Sequence, residues 1–338
     1  MATLKDVAGL AEVSVATAAR VLRGDPTLVV RPGTRARVEA AASELSYRPN
    51  GAARGLRTRR SGVLAVLLPD PQNVMWLEML RGVERSAAAR DYLVVVADAH
   101  GPILDREQLG RLVLERRVDG MLVAFARLRD ELVDQIAGHG LPLVPVNSRS
   151  RAVSGSVTMD DAHGGRLAVE HLVGLGHHRI GFIGGRRDTD VGRRRERGYL
   201  DAMASAGLAV DEAWLRAGDY TARTAEILGS ELLAQPVRRR PTAIYSVSLA
   251  TTLGLLAAAR GAGVQVPDAL SVVTMDDHPL LDHVAPPLAA IRMPMAEMGE
   301  AAAAMLVDAI GGAPIRHAVV AVRPTLVVRA STAPPGAA

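Results

Sequence analysis

Residues 3–22 read TLKDVAGLAEVSVATAARVL, and this stretch divides into two short helices and a turn. Thr3 followed by Asp6 ahead of an apolar run is a helix-capping pattern, with Asp6 standing where glutamate is commoner. A helix from Leu4 to Ala11 puts Leu4, Val7, Ala8 and Ala11 on one face. Glu12 and Val13 interrupt that period, and Ser14 is a good N-cap for a second helix running to Leu22. Two short helices joined by so tight a turn form a helix-turn-helix candidate.

The second helix has two unlike faces. Ala18, Val21 and Leu22, with Val13 from the turn, have the spacing to pack on the first helix. Val15, Ala16, Ala19, Arg20 and Arg23 fall on the opposite side. Small side chains followed by arginine suit a DNA major groove: they allow close approach to thymine methyls, and Arg20 can donate two hydrogen bonds to guanine O6 and N7. Taken on its own, this helix also reads as an amphipathic helix with an unremarkable surface.

A third helix opens at Thr34 and continues through Val38 to Leu45, with Pro32 near its start, where a missing N–H costs little. Arg35 and Arg37 on it are candidates for phosphate contacts, which set register without reading sequence. The following segment, Tyr47-Arg48-Pro49-Asn50-Gly51-Ala52-Ala53-Arg54-Gly55-Leu56-Arg57, is basic and weakly helical, because each glycine costs about 1 kcal/mol against alanine. Such a segment is either an ordinary linker or a helix that orders on DNA. In the second case Leu56 becomes a minor-groove wedge.

Charge supports a nucleic-acid role for this end of the chain. Residues 1–61 hold eleven basic and five acidic groups, whereas the other 277 residues hold 29 and 31. The net +4 of the 338-residue chain therefore arises entirely in its first sixth, the asymmetry of a small DNA module joined to a neutral domain. The absence of cysteine excludes disulfides, thiolate metal sites and cysteine nucleophiles. No secretory signal and no membrane span are expected, which makes a cytoplasmic protein the expectation.

The ordered set Leu4-Lys-Asp-Val-Ala, Ser14-x-x-Thr17-x-x-Arg20-Val21-Leu22, Thr34-Arg-x-Arg-Val, Glu44-Leu-x-Tyr47-Arg-Pro-Asn50 and Ala53-Arg-x-Leu56 resembles the LacI/GalR family of bacterial repressors. The resemblance implies an N-terminal all-α helix-turn-helix headpiece, plus an α/β two-lobed periplasmic-binding-protein-like (type I) domain with parallel sheets. It implies base contacts from Val15, Ala16 and Arg20, supporting DNA contacts from Ser14, Thr17, Arg23, Arg35, Tyr47, Asn50, Ala53 and Arg54, and a wedge at Leu56. The expected boundaries are a headpiece over 1–48, a hinge over 49–61 and a sensing domain over 62–338. Within that domain the N-lobe takes about 62–160 plus 292–324, and the C-lobe about 161–291 plus 325–331. The chain departs from the family pattern at Glu12, where a turn glycine is usual, at Ala19 for serine and at Arg23 for asparagine. Its loop from Gly24 to Thr34 is longer than usual, and Arg31 takes a serine N-cap position.

From Gly62 onward, near-continuous apolar runs alternate with helical ones. The runs are 62–68, 93–98, 120–125, 143–146, 179–184, 242–245 and 271–275, followed by 289–294 and 326–329. This alternation means parallel sheets covered on both faces. Ligands in open α/β sheets bind beyond the strand C-termini, so the polar residues at those ends are the candidates: Asp70, Asn73, Asp98, Asn147, Arg149, Asp160, Asp276 and Asp277, with Arg195 at a helix start. A carboxylate after a strand equally often caps a helix. By resemblance, the counterparts of Asn73, Arg149, Arg195 and Asp276 contact effector. Where the family commonly has Asn-Asp, this chain has Ser248-Leu249; Met293 replaces a frequent glutamine, and Trp76 lies where phenylalanine is usual. Each buried polar partner lost to a sugar hydroxyl costs about 1–3 kcal/mol, so the effector is expected to be a sugar or, on these changes, a less polar metabolite.

Two rival classes are weaker. His163, His171, His177, His178 and His283 suggest acid–base or metal chemistry, yet no HExxH, phosphate-binding loop or triad accompanies them. An extracytoplasmic solute-binding protein would carry an export signal and no headpiece. The expectation is a homodimeric, allosteric repressor of a palindromic operator, acting without cofactor or metal. The tail from Ser331 lacks leucine heptads, so no tail-mediated tetramer is expected.

Overall fold

The computed structural model describes residues 2–22, 24–25, 27–47, 60–70, 73–98, 115–124, 138, 140–149 and 153–336. The chain divides into two compact units, 1–61 and 62–338.

In the first unit, α1 (Leu4–Leu10), α2 (Val15–Leu22) and α3 (Pro32–Glu44) surround a small core. The Thr3–Asp6 pattern forms a complete capping box: Asp6 N–H donates to Thr3 Oγ1, and Asp6 Oδ2 accepts from Thr3 N–H at 2.7 Å. Ser14 Oγ accepts from Thr17 N–H at 3.0 Å and so caps α2. Val7, Ala8, Ala11, Ala18, Val21, Val38, Ala41 and Ala42 are buried together, with side chains short enough to bring three helices close. Glu12, in the turn, has φ +51°, a left-handed conformation costing roughly 1–2 kcal/mol for any residue with a Cβ. α3 begins two residues ahead of the Thr34 start expected from sequence. Pro32 is its first residue and Arg31 its N-cap, without a side-chain bond, because proline's fixed φ already suits the first turn.

In the second unit, β1 (Val63–Leu68), β2 (Leu93–Asp98), β3 (Gly120–Val123) and β4 (Leu143–Pro145) make a parallel sheet in the order β2-β1-β3-β4. A second sheet has the order β12-β10-β9-β8-β6-β7. Its strands are β6 (Ile180–Gly184), β7 (Leu215–Ala217), β8 (Ala243–Ser246), β9 (Ser271–Met275), β10 (Ala289–Arg292) and β12 (Thr325–Val327). All its pairings are parallel except β10 with β12. A short parallel pair, β5 (Ser156–Thr158) with β11 (His317–Val319), lies outside both sheets. Neither of these strands, nor β7, was anticipated: SVT, HAV and LRA each carry at least one polar residue among three and give no apolar run to read. The chain runs from the first sheet through β5 into the second, leaves it after β10, and rejoins it at β12 by way of β11.

Among the described residues the further α-helices are α4 (Met75–Ala88), α5 (Asp161–Gly174), α6 (Asp190–Ser205), α7 (Ala222–Leu233), α8 (Leu249–Gly261) and α9 (Met295–Ile310). They pack in pairs, α4 with α9, α5 with α6 and α7 with α8, and each pair meets at glycine. A Cβ at Gly82 would strike the Ala296 carbonyl, and one at Gly299 the Met79 carbonyl. Gly198 lies likewise against the Ala162 carbonyl, and Gly254 against that of Ala222.

Candidate DNA-reading face and ligand cleft

The sequence directs α2 to turn one side inward and leave the other exposed. Ala18 and Val21 are buried, while Val15 is 45% exposed and Ala16 is exposed. Ser14 and Thr17 are engaged with each other at the helix start, their hydroxyls 2.8 Å apart. Arg20 Nε donates to Asp25 Oδ2 at 2.7 Å and its Nη2 donates to Thr27 Oγ1 at 3.0 Å. Those bonds pull the Asp25 carboxyl down to about 2, first through Arg20 and then through Thr27. Neither Asp25 nor Thr27 was singled out from sequence, though both sit in the lengthened loop. Arg37 donates Nε–H to the Ala11 carbonyl at 3.2 Å, tying α3 to the end of α1. Arg35 and Tyr47 are half-buried, and Tyr47 packs against the headpiece core. Arg23, Asn50, Ala53, Arg54 and Leu56, with nearly all of the expected hinge, lie outside the described residues.

In the second unit a buried ionic cluster gathers at the ends of β4, β8 and β9. Asp161, with no exposed side-chain surface, opens α5 and accepts from Arg195 Nε and Arg194 Nη2, each at 2.8 Å. Arg195 also donates to the Val247 carbonyl at 2.5 Å and to Asp276 Oδ1 at 3.5 Å. Arg194 reaches Asp190 and the Asn147 carbonyl. Burial alone would lower the affinity of Arg195 for its proton, but Asp276 and Asp161 reverse this and hold its pKa above the ordinary value. Burial pushes the Asp276 carboxyl up, against the pull of Arg195. Asn147 (φ +57°), two residues past β4, and Asp276 (φ +70°), directly after β9, both hold left-handed conformations, the kind of local strain that clusters at functional sites.

Among the expected effector residues, Asn147, Arg195 and Asp276 therefore come together. Asp160 Oδ1 accepts from His163 N–H at 2.9 Å and caps α5. Ser248 forms a capping box with Thr251 at the start of α8. Asn73 Oδ1 accepts from Met75 N–H at 3.1 Å, at the start of α4. Asp70 and Arg149 are exposed, and the Arg149 N–H donates to Asp190 at 3.2 Å. Met293 is buried, with its sulfur close to Gly164. Trp76 is half-buried, and neither its indole N–H nor the buried Tyr245 hydroxyl has a hydrogen-bond partner among the described residues. Asp161, Arg194 and Asp190 were missed from sequence, although the Asp160-Asp161 doublet and the run Arg193-Arg194-Arg195 were visible.

Residues 3–50 match the model for bacterial regulatory proteins of the lacI family, and residues 169–332 match a periplasmic binding protein-like domain. The HTH-type transcriptional repressor PurR of Photobacterium profundum is 30% identical over 98% of this chain and 98% of its own. The chain belongs to the LacI family of bacterial regulatory proteins. It is thus a DNA-binding transcriptional regulator with a ligand-sensing domain, and not an enzyme. Among solved LacI-family structures, the lac repressor dimer bound to operator and the anti-inducer ONPF superposes with a TM-score of 0.80 at 25% identity, covering 98% of this chain and 99% of that one. The complex of the transcriptional regulator CelR with cellobiose gives 0.73 at 29% identity, covering 98% and 100%. No helix among the described residues is long and apolar enough to cross a membrane.

Proposed function

We propose that this LacI-family chain is a cytoplasmic repressor that reads a palindromic operator with α2 as a homodimer and is switched by a small, weakly polar metabolite. The observation that carries the reading is the outward face of α2, where Val15 and Ala16 allow close approach and Arg20 supplies the guanidinium. Two copies would place two such helices one helical turn apart, about 34–36 Å. The dimer is supported by apolar surface on β2, where Leu93 is 72% exposed and Val95 and Val96 are also open. Its lobes are taken as 62–160 plus 292–324 and 161–291 plus 325–331, with the effector between them around Arg195 and Asp276. The solved CelR relative holds cellobiose. In this chain Ser248 is committed to capping and Met293 adds apolar surface, while the unpartnered Trp76 N–H and Tyr245 hydroxyl are few enough to suit a ligand with one or two polar groups.

The test is a selection of bound DNA by the full-length chain. Arg20→Ala is expected to cost about 1–3 kcal/mol and to relax preference at one base pair per half-site; uniform weakening at every position would make Arg20 a phosphate contact. For the ligand, a calorimetric screen is expected to find a weakly polar metabolite. Micromolar binding of a plain hexose would overturn that class.

A further inference from the structure

The lengthened loop after α2 is folded around one carboxylate. Asp25 Oδ1 accepts from the Thr27 N–H at 2.9 Å and from the Thr27 hydroxyl at 2.7 Å. Its other oxygen accepts from Arg20 Nε, and the Thr27 oxygen accepts from Arg20 Nη2. Backbone bonds lock the same loop: Asp25 N–H donates to the Arg20 carbonyl, and Leu28 N–H donates to the Asp25 carbonyl, both at 3.1 Å. The result is a closed ring of Arg20, Asp25 and Thr27, attached to the helix end.

A guanidinium has five N–H donors in a planar fork. Here the edge formed by Nε and Nη2 is taken, one donor by the carboxylate and one by the hydroxyl. The far edge, Nη1 with the second hydrogen of Nη2, is the other edge with the spacing to span guanine O6 and N7. We infer that Asp25 and Thr27 are specificity-determining positioning residues: they clamp one edge of Arg20 so that its Nη1/Nη2 edge is presented to a guanine as a fixed two-donor fork. This rests on the reading of Arg20 as a base contact. The clamp removes rotamers from a long side chain before DNA arrives, and so lowers the entropy lost on binding. It also discriminates, since a fork held in place cannot swing to accept another base or a phosphate. Because Asp25 stays ionised throughout the neutral range, the clamp is independent of pH there.

The test uses the full-length protein and the tightest DNA from the selection, with each half-site position substituted in turn and affinities measured at one salt concentration. The readout is the ratio of affinities for preferred and substituted base at each position. Asp25→Ala is expected to lower that ratio about tenfold at the position Arg20 reads, on the scale of one bidentate contact, and to leave the other positions unchanged. Affinity for unrelated DNA should hold or rise, because a negative charge near phosphates has gone. Thr27→Val should give a smaller loss at the same position. In an Arg20→Ala background, Asp25→Ala should change the ratio no further. Asp25→Asn keeps the acceptor for Thr27 N–H but not the charge, and decides the matter if the alanine variant folds poorly. An undiminished ratio in both Asp25 variants would overturn the clamp, as would an increase, which would mean that the carboxylate competes with the base. If Arg20→Ala itself leaves every ratio unchanged, the base-contact reading falls and the clamp falls with it. A position-specific loss in Arg20→Ala without one in the Asp25 variants overturns the clamp alone.

Discussion

Arg20 and Arg195 are both held by aspartate, and they differ in almost everything else. Arg20 keeps about two-fifths of its side-chain surface in solvent, while Arg195 keeps 5%. Around Arg195, two carboxylates and a carbonyl are needed to compensate for lost water, and removing one partner of such a buried pair is strongly destabilising. Around Arg20, water remains available, so its single carboxylate is free to orient the group at little cost in stability. On the readings proposed above, the exposed pair serves recognition by orienting its arginine, whereas the buried pair holds together the cluster around which the effector is placed. The general lesson is that an arginine–aspartate pair takes its role from its surroundings.

The contrast makes a large prediction first. Asp161→Ala leaves Arg194 and Arg195 without their shared buried partner, and should destabilise the second unit by about 3–5 kcal/mol in urea unfolding. A loss below about 1 kcal/mol would place the cluster in a wetter environment than its burial indicates. Gly198→Ala, on the helix that carries both arginines, forces a methyl into the Ala162 carbonyl and should cost about 1–3 kcal/mol in the same measurement. Unaltered stability there would show that α5 and α6 can slide apart freely.

Acid should separate the two units with a smaller effect. His171 and His177 are held below the ordinary histidine value by burial, so their neutral forms stabilise the fold above about pH 6.5, the value in an unfolded chain. That stability drains away as pH falls from there through the folded values. All nine histidines lie beyond residue 61. Urea melts of the full chain read by pulsed hydrogen exchange should therefore show the second unit weakening from pH 7 to 5.5, without a histidine contribution in the first. The smallest effect is a gain. Glu12→Gly relieves a left-handed glutamate, and should stabilise the headpiece by about 0.5–1 kcal/mol after the extra freedom of glycine in the unfolded chain is discounted. No gain in thermal unfolding would mean that the turn is not strained by its Cβ.

Legibility from sequence followed the range of the interactions. The capping box, the two faces of α2 and the longer strands depend on neighbours within a few residues, and all were readable. The clamp on Arg20 spans five to seven residues of an irregular loop, where no period applies. Asp161 and Arg195 are 34 positions apart, and Arg195 and Asp276 are 81. Their meeting depends on how strands are ordered in a sheet, which a local pattern does not encode. Strand-end polar residues are legible as a class of position, but which of them caps a helix and which faces inward depends on backbone geometry: Asp160 caps α5 while its neighbour Asp161 binds the arginines.

The glycines that join the paired helices have a consequence for heredity. Every single-nucleotide missense change in a glycine codon replaces hydrogen with a larger side chain, so Gly82, Gly198, Gly254 and Gly299 have no mild alleles. A genetic screen for loss of repression will return these codons although they belong neither to α2 nor to the cluster around Arg195. Alanine, ordinarily the harmless substitution on a helix, will be among the damaging ones.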